Sequence, residues 1–142
     1  MSVVVTAPAA TATAAPARTV SRATTRGLAV VGAGAAALAG WTVGALLGAD
    51  YWITDVQGTA RVDIPAAVGS TVIIALLGWA LLAVLERVAT WGRTAWTYLA
   101  VGVLAVSMTP IGLVEATAST RIGLMIAHLA VAAVVIPAFT RR

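Results

Sequence analysis

The chain has 142 residues, of which 61% are hydrophobic and only 10% charged, where soluble domains carry about 25% charged residues. A soluble domain of this size cannot hide that much apolar surface, so the composition excludes that class and leaves an integral membrane protein. All nine basic residues are Arg and the net charge is +4; the arginines flank apolar runs, which reads as membrane topology and not as a nucleic-acid surface.

Residues 1–26 are rich in Ala, Thr, Val and Pro, with Pro8 and Pro16, and read as a disordered cytoplasmic tail. Arg18, Arg22 and Arg26 are spaced by four. They share one face if the first helix extends backwards, and are expected to fix orientation beside anionic headgroups. A cleaved signal peptide is rejected, because the apolar stretch exceeds the roughly 7–15 residues of such a region and further spans follow.

The first span, 28–48, contains no charge. Gly32, Ala36, Gly40, Gly44 and Gly48 recur at every fourth position. Each step of four advances about 40° around a helix, so these small residues trace one shallow groove. Lipid offers no hydrophobic drive for helix association, and close backbone approach along such a groove supplies packing energy instead. The first helix is therefore expected to be the surface on which the others pack, the groove being filled by another helix of the chain or by a second copy.

Residues 50–63 form the longest polar connection. The strand-prone run from Tyr51 to Val56, a turn at Gln57-Gly58 and the alternation from Thr59 to Ile64 predict a short extracytoplasmic β-hairpin. Tyr51 and Trp52 suit the headgroup level. Asp50, Asp55 and Asp63 lack a calcium-loop spacing and read as a solvated loop. Asp63 and Pro65 mark the start of the second span, 64–85, as cap and first-turn proline. Glu86 and Arg87 end it, and Arg93 between Trp91 and Trp96 reads as an interfacial anchor. The third span, 95–111, is expected to bend or stop at Pro110. Thr117 or Ser119 is positioned to cap the fourth, 120–139, which carries His128 and Pro137. Residues 27–142 thus form one all-α domain, a four-helix transmembrane bundle. Arg18, Arg22, Arg26, Arg87, Arg93, Arg141 and Arg142 fall on one side against Arg61 and Arg121 on the other. That asymmetry places both termini in the cytoplasm of a cell whose plasma membrane the chain crosses four times.

Several runs carry a resemblance. They are Gly78-Trp79-Ala80-Leu81-Leu82-Ala83-Val84-Leu85-Glu86-Arg87, Arg93 with Ala95-Trp96-Thr97, Ser107 with Pro110, and Met125-Ile126-Ala127-His128-Leu129 followed by Ile136-Pro137. Over about 28–142 the chain resembles a family of small actinobacterial four-span membrane proteins known only as domain of unknown function 6069. The resemblance implies a four-helix membrane domain and no activity. Exclusive use of Arg fits a GC-rich actinobacterial genome.

Catalytic motifs are not found. There is no Cys, no phosphate-binding glycine loop, no nucleophile elbow, and a single His, which excludes a two-His metal site in one chain. No cofactor is implied. One layer of polar side chains remains: counted at 1.5 Å per residue, Thr42, Thr71, Ser107 and His128 fall roughly 6–10 Å below the outer surface. Such groups usually face the bundle interior and pair with one another, either as a structural hydrogen-bond cluster or as the mouth of a ligand or proton site. The leading functional expectation is a non-enzymatic accessory or scaffold protein of the cytoplasmic membrane, whose partners are the lipid bilayer and another membrane protein or a second copy. The alternative is a small transporter or proton-coupled carrier subunit that uses the polar layer around His128. A membrane enzyme acting on lipid or quinone ranks third.

Overall fold

The computed structural model describes residues 21–141. Arg18, Arg142 and residues 1–20 of the expected tail lie outside them. The element order is α1 (Arg22–Leu46), β1 (Trp52–Asp55), β2 (Gly58–Arg61), α2 (Ile64–Val88), α3 (Gly92–Leu113) and α4 (Ala118–Thr140). All four helices are long and apolar enough to cross a membrane. The protein is a four-helix membrane bundle with one small antiparallel hairpin.

The first helix starts earlier than the sequence suggests. Ser21 caps it, its side chain accepting from the Thr24 amide at 3.1 Å, and Arg22 to Arg26 are helical. Hydrophobicity begins only at Gly27, but a Ser N-cap with helix-tolerant residues behind it is enough to extend the helix by more than a turn. At the far end Gly48 stops it. With φ +87, Gly48 takes the left-handed conformation that glycine adopts without a Cβ clash. Its amide meets the Ala45 carbonyl at 3.0 Å, and the Ala49 amide meets that of Gly44 at 2.9 Å, the paired bonds of a Schellman cap. Gly48 therefore terminates the helix and is not the fifth member of the groove.

The hairpin pairs Trp52 with Arg61 and Asp55 with Gly58. Its two-residue turn is Val56-Gln57, one position before the expected Gln57-Gly58. Gly58, with φ +127, occupies the first paired position, and the Asp55 carboxylate accepts from the Gln57 amide at 2.8 Å, closing the turn from its other side. Thr54 and Glu115 exchange backbone bonds of 2.9 and 3.0 Å. The hairpin is thereby tied to the α3–α4 connection, and the two loops together form a lid on that end of the bundle.

Asp63 caps α2 with Pro65 in the first turn, and Thr117 caps α4. Pro110 sits in the last turn of α3, which continues to Leu113. Within its spanning window α1 is 39% buried, while α2, α3 and α4 are 11% each. α1 packs most extensively on α4 and next on α2. Ala29, Val30 and Ala33 of α1 meet Leu82, Trp96 and Phe139 in a core near the end that carries the described termini.

Candidate functional site

Three constructions give the bundle its chemistry. The first is the seam between α1 and α4. Gly40 is buried where a Cβ would lie 2.5 Å from the Ala127 Cα, and a Cβ on Gly32 would lie 3.2 Å from Val134 Cγ1. Ala36 is half-buried. At Gly44 the space is taken differently. A Cβ there would collide with the Tyr51 hydroxyl and lie 2.7 Å from the Gly123 Cα. Gly44 and Gly123 thus form a slot for an aromatic ring.

Tyr51 was expected at the headgroup level and is instead 1% exposed. Its hydroxyl donates to the Trp41 carbonyl at 2.6 Å and its amide to Thr120 Oγ1 at 3.0 Å. Its ring stacks on Trp41 with centroids 4.7 Å apart. It is a non-glycine residue at φ 58, a conformation that costs of order 1–3 kcal/mol and persists where its surroundings over-determine it. Those surroundings continue into Asp50, whose carboxylate accepts from Thr120 Oγ1 at 2.7 Å. That hydroxyl holds the Asp50 carboxyl below the usual carboxylate range. Trp52, by contrast, is half exposed, as an interfacial residue should be.

The second construction is an ion-pair cluster at the opposite end. Arg26 Nη1 and Nη2 donate to both carboxylate oxygens of Glu86 at 2.9 and 2.7 Å. Arg93 Nε donates to Glu86 Oε1 at 2.6 Å. One carboxylate joins α1, α2 and α3. The Arg26 side chain is 9% exposed and Glu86 23%, so the first pair is largely desolvated. Arg26 is accordingly more than a headgroup anchor. The sequence held a signal for this: Glu86 is the one acid on the side that carries seven arginines, and a lone carboxylate among cations is the natural centre of a cluster.

The third is a cavity of about 480 Å³ lined by residues of all four helices, with Trp41 and Tyr51 at its hairpin end and Trp96 at the other. Thr71, Ser107 and His128 all line it. Thr42 does not: it lies on the exposed face of α1 and donates to the Leu38 carbonyl at 2.8 Å. The expected mutual pairing within the polar layer is replaced by bonds within each helix. Thr71 donates to Ala67 O at 2.7 Å, Ser107 to Leu104 O at 2.7 Å, and His128 Nδ1 meets Leu124 O at 2.8 Å. The physical reason is local. A hydroxyl on a helix reaches the carbonyl three or four residues back more readily than it reaches a neighbouring helix.

Among the described residues no group of three or more His, Asp or Glu could hold a metal ion. The arrangement can seat an apolar molecule and offer it a few hydrogen-bonding atoms. No curated protein and no solved structure matches the chain. The match to a family model covers residues 16–142, nearly the whole chain, and so this four-helix membrane protein belongs to a family of unknown function, DUF6069.

Proposed function

We propose that the protein is a non-enzymatic accessory or scaffold protein of the cytoplasmic membrane, threaded with both termini inside and acting on partners in the plane of the bilayer. The observation that carries this reading is the asymmetry of burial. α1 has the largest buried share of the four helices, while α3 leaves Tyr98 76%, Val103 61% and Val106 71% exposed. A wide, weakly committed helical face is what lateral association in lipid uses. The carrier reading takes second place: the cavity supplies it with a volume, but aromatic side chains stand at both ends of that volume.

Two experiments test the proposal. A photo-crosslinking residue at Val103 or Val106, activated in living cells, is expected to give a protein adduct of discrete mass, with Leu28 as a control position on α1. Adducts to lipid alone at both α3 positions would overturn the scaffold role. For the threading, cysteine introduced at Gln57 is expected to react with an impermeant maleimide in intact cells and cysteine at Thr90 only after lysis. The reverse pattern would invert the topology.

A further inference from the structure

The wall of the cavity has an unusual chemical bias. Every polar side chain on it spends its hydrogen on a backbone carbonyl. Beyond Thr71, Ser107 and His128, the Ser70 hydroxyl donates to Ala67 O at 3.3 Å and the Trp96 indole to Gly78 O at 2.8 Å. At the hairpin end, Trp41 Nε1 donates to Val62 O at 3.0 Å and the Tyr51 hydroxyl to Trp41 O. A carbonyl only accepts, so the bond to Leu124 O fixes the proton of a neutral His128 on Nδ1. Nε2 is then an acceptor. The hydroxyls of Thr71 and Ser107 likewise retain only lone pairs. What the side chains of this cavity offer a guest is acceptors.

Charge narrows the guest further. Among the described residues no Arg, Asp or Glu lines the cavity. An anion would face lone pairs, and a cation would sit in lipid-like surroundings with no counter-charge. A guest whose polar group is a carbonyl or an ether has no hydrogen to give. The volume falls within the range of about 300–1,000 Å³ usual for small-molecule sites, and an apolar wall with a few polar atoms is the usual composition of such sites. Access is lateral: Leu77 and Val103, on the α2 and α3 edges of the cavity, are 64% and 61% exposed, on surfaces that face the bilayer when the helices span it.

We propose that this cavity binds a neutral, apolar molecule bearing a hydroxyl donor, a long-chain alcohol or an alkyl phenol, taken up sideways from the bilayer, with His128, Ser107 and Thr71 as the accepting groups. The inference does not rest on the scaffold role, although Val103 borders both the cavity and the face assigned to a partner.

The test uses the full chain in detergent and native mass spectrometry. The probes are a long-chain primary alcohol, its methyl ether, and a phenol carrying the same chain. The alcohol or the phenol is expected to bind one molecule per chain about five-fold more tightly than the ether, the worth of one net hydrogen bond; which of the two binds better identifies the source. Ala100→Phe, which places a ring inside the cavity, is expected to weaken binding of all three. The preference for the hydroxyl is expected to fall in His128→Leu and in Ser107→Ala with Thr71→Val, and to collapse toward unity in the triple variant that combines them. Three results would each overturn the proposal: ether binding equal to that of the hydroxyl compounds, no saturable binding, or a preference that survives removal of all three acceptors.

Discussion

Gly40→Leu is expected to lower stability in detergent by about 3 kcal/mol or more, read as a large fall in the thermal unfolding midpoint. Overpacking typically costs 1–3 kcal/mol because side chains and backbone must move. Here the obstacle is the backbone of another helix: a Cβ at position 40 would lie 2.5 Å from the Ala127 Cα and 3.0 Å from its N. No rotamer change relieves such a contact, so α1 and α4 must separate along the seam that provides most of the burial of α1. Gly69→Leu and Gly102→Leu serve as controls, because a Cβ at either position meets nothing within 4 Å. Equal midpoints for Gly40→Leu and these controls would mean that the α1–α4 seam does not hold the bundle together.

Glu86→Leu is expected to cost about 3 kcal/mol, the lower end of the range for breaking a buried ion pair. The loss is dominated by Arg26, whose side chain is 9% exposed and which would keep its charge without the carboxylate that both terminal nitrogens contact. Arg93, at 26% exposure, contributes less, because solvent screens it. The double variant Arg26→Met with Glu86→Leu is expected to recover most of the loss, since removing both partners also removes the stranded charge. Chemical unfolding of the four proteins of that cycle measures the coupling. Additive losses would show that the pair contributes no interaction energy.

The number of spans, the hairpin, the cap at Asp63 and one of the two caps offered for α4, Thr117 rather than Ser119, were legible because each rests on local physics: apolar length, alternation, and a side-chain oxygen one residue before a helix. The small-residue spacing of α1 was legible for the same reason. Its partner was not, because which helix faces Gly40 depends on rotations that only mutual packing with Ala127 and Gly123 decides. The depths of Thr71, Ser107 and His128 could be counted from helix rise, but a count of depth carries no azimuth, and it misplaced Thr42 on the exposed face. Tyr51 was unreadable for a different reason. Nothing in a sequence announces a tyrosine at φ 58, and an aromatic beside a span is ordinarily an interfacial residue.

The slot that holds Tyr51 has a consequence for biosynthesis. Its walls come from elements far apart in sequence: Gly44 belongs to α1, Gly123 and Thr120 to α4, which is synthesised later. Until α4 is synthesised, Tyr51 has Trp41 to stack on but lacks the Gly123 wall of its slot and the Thr120 hydroxyl that receives its amide. The glycine face of α1 meanwhile stays open to lipid or to whatever helix is nearby. Synthesis of α4 is therefore what completes the Tyr51 slot, and the α1–α4 seam can close only after it.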